Sequence, residues 1–332
     1  MARQTNLQPK NPATHCSIGI FVLKICNFAK KLSMPRSLIS VIICSINPDL
    51  ASKTIDNLTQ TAGLPLEVHV IDNRHNNRPI SQVYNEGAQA SEAPYLLFIH
   101  EDVLIETENW GVVLTSKLKE PSCGVIGFAG STLWLPGPYA WWNVPEEYHR
   151  CNYRHIENGQ TQTYILPAGH TGDFLPVISL DGVAMAVRRE VWAKFPFDEK
   201  ILTGFHCYDI DFSVEISRHY TNYVNYDIRL LHLSSGKYDQ RWLEISEKVF
   251  IDKWKNLSPL AVDCLPSNLQ EIKDSAMYRY VFRKIRTSAP KSLLKKLIRI
   301  YATRDTITGI RLKRSATLYW HYLTHKAFKK DC

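Results

Sequence analysis

The chain has 332 residues, 40 Lys and Arg against 32 Asp and Glu, a formal charge of +8 and an apolar fraction of 45%. Aromatic and aliphatic side chains in this proportion exclude a disordered or collagen-like chain, and without a long apolar run the sequence argues against an integral membrane protein. The length suits one large domain with additions or two modest ones, with a sizeable buried core.

The charge divides unevenly: residues 1–36 carry +6, residues 276–332 carry +13, and the stretch between them carries −11. Three parts are expected: a basic N-terminal segment (1–36) with a short amphipathic helix, an acidic body (37–275) and a basic helical C-terminal extension (276–332). Basic ends lie near an anionic partner, a membrane surface or nucleic acid, or else form solvated helix faces. The body has no recognised nucleic-acid motif, which ranks nucleic acid below the membrane. Eight cysteines are scattered without a CxxC pair, as expected for reduced, mostly buried thiols in a cytosolic protein.

Residues 18–29 are apolar but interrupted by Lys24 and Asn27 and shorter than the ~20 residues that span a bilayer. They read as a short helix, packed on the body or resting on a membrane. Residues 38–45 are a β-branched run ended by Asn47-Pro48, the pattern of a strand buried on both faces. A helix over 49–62, a strand over 66–72, a helix over 80–91 and a strand over 94–100 follow. Strands alternating with helices of about a dozen residues predict βαβ units and a mostly parallel sheet, with ligands bound beyond the carboxyl ends of the strands.

A helix over 107–119 and a strand over 124–128 come next, and the pattern then loosens from 131 to 176. That stretch is rich in Trp, Tyr, His, Pro and Gly and reads as a functional loop or lid. Trp134, Trp141, Trp142 and Tyr148 would form a sugar-stacking platform there, or simply pack the loop on the body. Strand character resumes over 177–187 around Asp181-Gly182, followed by a helix from about residue 189. A helix over 209–220, a strand over 223–232 and an amphipathic helix over 240–255 complete the body. In the extension, Leu293, Leu294, Leu297, Ile298 and Tyr301 form one apolar stripe, with Lys291, Lys295 and Arg299 off it. Such a helix either docks on the body or rests on an anionic bilayer.

Three clusters bear on chemistry. His100-Glu101-Asp102 ends a buried strand with adjacent acids, suited to a divalent ion that bridges phosphates, although acids also cap strand ends for structural reasons. Tyr208-Asp209-Ile210-Asp211 opens a helix, where acids are favoured by the helix dipole and where a general base for a hydroxyl acceptor would also sit. His232 ends a late strand, where a neutral imidazole would complete a metal shell or serve as a structural residue.

Their order along one α/β chain resembles the GT-A fold glycosyltransferases, in particular family 2 and its subgroup with a His-x-Asp-Val element. The resemblance covers roughly residues 38–255 and neither basic end. It implies a Rossmann-like α/β sheet flanked by helices, with Ser45, Asn47 and Asp72 lining the nucleotide pocket and Asn85-Glu-Gly87 matching an Asn-x-Gly helix element. It also places His100 and Glu101 on the nucleotide-sugar side, Asp102 and His232 on Mn2+ or Mg2+, Asp181 with Trp141 and Trp142 on the acceptor, Asp209 as catalytic base and Asp211 in support. Here His100 replaces the usual first Asp of Asp-x-Asp, and Tyr208 stands where Glu is common. The implied activity is metal-dependent, inverting transfer from a nucleotide-diphosphate sugar, UDP favoured, to a hydroxyl of a glycan or lipid-linked acceptor. Such an enzyme would work in cell-surface polysaccharide synthesis, in the cytoplasm or peripherally at the inner membrane face. A noncatalytic sugar- or nucleotide-binding module on the same fold is the alternative.

Overall fold

The computed structural model describes residues 21–23, 38–234, 239–286, 291–302 and 309–324. The apolar run Ile39–Ser45 is buried along nearly its whole length, as its β-branched composition requires, and lies at the heart of an eight-stranded sheet. It pairs in parallel with Leu66–Asp72 on one side and with Tyr95–Ile99 on the other. The sheet continues through Ala184–Arg188, Cys123–Gly127, Thr221–Asn225 and Phe174–Val177.

This sheet is mixed, which corrects the expectation of a mostly parallel one. Only the pairs within the first βαβ units and the pair of Thr221–Asn225 with Cys123–Gly127 are parallel. Ala184–Arg188 runs antiparallel to both of its neighbours because the chain returns between them. At the opposite edge Phe21–Leu23 pairs antiparallel with Val68–Val70. The helix expected over 18–29 is therefore a strand in its described part; the other residues of that segment lie outside the described residues.

Helices cover the sheet where the apolar periodicity predicts them. Pro48–Thr61 opens on Asn47, whose side chain accepts from the Leu50 amide, with Pro48 at the first helical position. In Ile80–Ala90, Gly87 lies so close to the central strand that a Cβ would stand 2.5 Å from Ile42 Cγ2. Close helix-to-strand packing is the reason for glycine there.

The stretch from 131 to 176, expected to be an irregular loop or lid, holds a regular hairpin. His149–Glu157 and Gln160–Leu166 pair antiparallel around Asn158-Gly159, both at positive φ (51° and 75°), the conformation of a tight hairpin turn. The hairpin joins Ser179–Leu180, Ala129–Ser131, Leu230–His232 and Val103–Ile105 in a second, six-stranded sheet. Two segments expected as single strands are consequently divided between the sheets. Residues 177–187 change sheet at Asp181–Val183, and residues 223–232 change sheet at 226–229.

The charge step at residue 276 falls inside the helix Leu269–Arg286, which packs on the body through Ile272, Ala276, Tyr280, Val281 and Ile285. Leu294, Ile298 and Tyr301 of the next helix, Lys291–Ala302, are buried in the same core, so this part of the apolar stripe docks inward while Lys295 and Arg299 stay exposed. A third helix, Gly309–Thr324, is anchored by Leu318 and by the ion pair of Arg311 with Asp274.

Candidate active site

The carboxyl ends of the three parallel strands place Ser45, Asp72 and His100-Glu101-Asp102 side by side, with Ser45 in register with Asp72. The pairing of Leu230–His232 with Val103–Ile105 sets His232 opposite Val103, and the Leu233 amide donates to the Asp102 carbonyl at 2.8 Å. Two residues far apart in sequence are thereby fixed together, with His232 Nε2 3.1 Å from Asp102 Oδ1.

His100 joins them: one donor atom from each of His100, Asp102 and His232 lies within 4.8 Å of the others. Two imidazoles and a carboxylate suit Mn2+ or Mg2+ in part and leave other positions to phosphate oxygens and water. Adjacent donors of an octahedral ion stand ~3 Å apart for bonds of about 2.1 Å, which the Asp102–His232 separation matches. Burial would raise Asp102, but the hydrogen bond and charge of His232, with Ser234 and His100, take it down to about 2. Burial and then His232 lower His100 to about 4. The trio at neutral pH is a carboxylate beside a neutral His100 imidazole, a donor set ready for a cation.

Behind His100 stands Tyr208. Its hydroxyl donates to the Gly182 carbonyl at 2.9 Å and lies 2.9 Å from His100 Nε2. With its proton directed at Gly182, Tyr208 accepts from His100 Nε2–H, and Nδ1 remains the lone-pair nitrogen of that ring. Gly182 permits this contact, since a Cβ there would stand 2.2 Å from the Tyr208 oxygen. The helix Tyr208–Ser217 starts from Cys207 at φ 68°, a left-handed conformation uncommon outside glycine.

Asp209, in the first turn of that helix, accepts from the Gly182 amide at 2.9 Å. Burial, then the neighbouring Asp181 carboxylate, push it up to about 7. A carboxyl that titrates near neutrality is matched to taking a proton from a hydroxyl. Asp181 is held by the Trp141 indole N–H (3.0 Å) and by the Val183 amide (3.0 Å).

Other expected site residues have different surroundings. Asp211, expected in catalytic support, is 3% exposed and accepts from Lys253 Nζ (2.9 Å) and Trp254 Nε1 (3.0 Å). It ties the helix to the end of the body. Asn85, expected on the nucleotide, is buried with its amide fully engaged: it donates to the Phe197 carbonyl and Glu199 and accepts from Trp192 Nε1 and the Phe197 amide. No polar atom of that side chain is left for a donor sugar. Glu101 accepts from Ser45 Oγ, the Ile46 amide and the Asn47 amide at 2.7, 3.0 and 2.8 Å. It shapes the loop of Ser45 and Asn47. Asp72 is half exposed and paired with Arg74 at 2.6 Å, which holds it well below the usual carboxylate range.

Trp134 and Trp141, expected as a sugar platform, are 3% and 7% exposed and pack inward, with Trp142 edge-on to Trp141. On the hairpin, Tyr153 and Tyr164 stack at 5.4 Å with His155 against both; of the three only Tyr164 is exposed. Sequence reading passed over this pair, although Asn158-Gly159 between two β-rich runs is a strong hairpin signal. Tyr208 as partner of His100, and Lys253 and Trp254 as partners of Asp211, had no comparable local signal.

Solved structures similar to the chain include GalNAc-T7 with UDP, GalNAc and Mn2+, at 12% identity and TM-score 0.46 over 81% of this chain and 55% of that one. The mannosyltransferase PcManGT from Pyrobaculum calidifontis in complex with GDP-Man and Mn2+ is similar at 11% identity and TM-score 0.45, over 90% and 89%. A197 from STIV follows at 13% and 0.35, over 59% and 86%. The chain spans about half the length of GalNAc-T7. No curated protein matches it. The sequence model described as "Glycosyltransferase like family" matches residues 40–254, well over half of the chain and every residue of the cluster above, so the chain belongs to that glycosyltransferase-like family.

Proposed function

We propose that the protein transfers a sugar from a nucleotide-diphosphate donor, UDP favoured, to a hydroxyl of a glycan or lipid-linked acceptor, with inversion, in cell-surface polysaccharide synthesis. One observation carries the reading: a His100–Asp102–His232 donor set is linked through Tyr208 and Gly182 to Asp209, a carboxyl that burial and Asp181 push up to about 7. Asp102 and His232, with His100 as third donor, would hold Mn2+ or Mg2+, which when bound neutralises charge on the leaving diphosphate.

The protein's own groups do the rest. The loop of Ser45 and Asn47, held in shape by Glu101, receives the donor, and Asp72 at the neighbouring strand end faces the base. Asp181, fixed by Trp141 and the Val183 amide, orients the acceptor hydroxyl. Asp209 takes its proton as the oxygen attacks the anomeric carbon. One base and one displacement on the face opposite the leaving group invert the configuration.

Replacement of Asp by His100 and of Glu by Tyr208 motivates the rival, a binding module without turnover. Calorimetric titration of UDP, GDP and dTDP with and without Mn2+, on wild type and Asp102→Ala, tests the donor site. Metal-dependent binding lost in the variant is the expected result; no nucleotide binding under any condition would sink the proposal. Asp209→Asn separates enzyme from binder, because the enzyme should lose nearly all turnover and keep donor binding.

A further inference from the structure

The helix Gly309–Thr324 carries a concentration of exposed apolar side chains. Ile310, Leu312, Tyr319, Trp320 and Leu323 are 61%, 65%, 40%, 59% and 70% exposed. Leu312, Ala316, Tyr319, Trp320 and Leu323 fall at i, i+4, i+7, i+8 and i+11, one continuous face of the helix. That face is separate from the one carrying Arg311, Ser315 and Leu318, which are buried against the neighbouring helices. Contiguous exposed apolar surface of this kind marks an interaction site.

Charge selects the occupant. The helix has no acidic residue, and Lys313, exposed, follows Leu312 on the flank of this face. Lys295 of the preceding helix is also exposed, and residues 276–332 together carry +13, of which Lys284 and Arg311 are paired with Glu247 and Asp274. Pairing the face with the same face of a second copy would bring this positive charge against itself. Nucleic acid would answer the charge but offers no apolar layer for Leu312 and Leu323. An anionic lipid surface offers both, with acyl chains below the headgroups for the Leu and Trp side chains and phosphates at the level of the lysines. Among the described residues no helix is long and apolar enough to cross a membrane, and 16 residues make an element about 24 Å long.

We propose that the Leu312–Ala316–Tyr319–Trp320–Leu323 face of helix Gly309–Thr324 docks the protein peripherally on an anionic lipid bilayer. The inference stands on exposure and charge and does not depend on the transfer reaction. The test is flotation of the full chain with phosphatidylglycerol/phosphatidylcholine vesicles and with pure phosphatidylcholine vesicles at physiological salt. Wild type should float with the anionic vesicles, weaken as salt is raised, and bind phosphatidylcholine far less.

The triple variant Leu312→Gln, Trp320→Gln, Leu323→Gln should bind at least tenfold more weakly; circular dichroism and melting confirm that it is folded. Brominated anionic lipid gives a second readout: the tryptophan fluorescence it quenches in wild type should be lost in Trp320→Gln alone. Three results would overturn the proposal. They are no wild-type binding to anionic vesicles, undiminished binding with unaltered bromolipid quenching in the variants, or a wild-type dimer in sedimentation that the triple variant turns into a monomer.

Discussion

Replacing Asp209 by Asn should stabilise the protein while removing its turnover. Burial and the Asp181 carboxylate push Asp209 up to about 7, from an ordinary value of 3.8. The folded protein therefore holds this proton more tightly than the unfolded chain does. The stability it contributes is fully present below about 4, is lost as pH rises to about 7, and stays lost above that. A difference of about three units, at roughly 1.4 kcal/mol each, sets a ceiling of about 4 kcal/mol. Asn keeps an oxygen for the Gly182 amide, now 2.9 Å from Asp209, and turns its new N–H groups towards the Asp181 carboxylate. We expect it to regain about 1–3 kcal/mol at pH 8 and nothing near pH 4. Urea unfolding of wild type and variant from pH 4 to 8.5, in chelator to remove metal, measures this directly. A difference independent of pH, or a less stable variant at pH 8, would refute the reasoning: Asp209 would then be an ordinary ionised carboxylate and no tuned base.

The same coupling predicts that kcat/KM falls on the acid side with a limb near pH 7, and that Asp181→Asn moves this limb to lower pH by removing the negative neighbour; a pH profile of donor turnover reads both. Asp211→Asn should cost about 2–4 kcal/mol by taking the nearest charged partner from Lys253, which keeps Asp198 at 3.6 Å. Metal-dependent nucleotide binding should persist at a permissive temperature; unchanged stability with lost turnover would return Asp211 to the chemistry. Gly182→Ala should cut turnover at least tenfold and weaken Mn2+ binding, because its Cβ displaces Tyr208 from His100. Wild-type kinetics and metal affinity in that variant would show Tyr208 to be dispensable.

The local code was most legible where one short segment carries the whole signal. The buried β-branched run at Ile39–Ser45, the alternation through Tyr95–Ile99 and the Asn47-Pro48 helix start are each settled by neighbours in sequence. The resemblance to a glycosyltransferase family over roughly residues 38–255 is matched by the family assignment over residues 40–254. It faltered where adjacent polar residues serve different masters. Asp209 and Asp211 are two positions apart on one helix, yet about 200° of rotation turns one towards Gly182 and the other towards Lys253 and Trp254.

Sequence alone thus determined the α/β class, the strand ends that can hold an ion, and a division of charge between body and ends. Tertiary structure decided the mixed sheet, the hairpin in place of a lid, the inward turn of Asn85 and Asp211, and which apolar stripe of the extension stays open. The reason is physical: backbone periodicity is a property of a few consecutive residues. Which carboxylate is desolvated, which amide is satisfied and which helix face is covered depend on groups that only strand pairing and packing bring within a few ångströms.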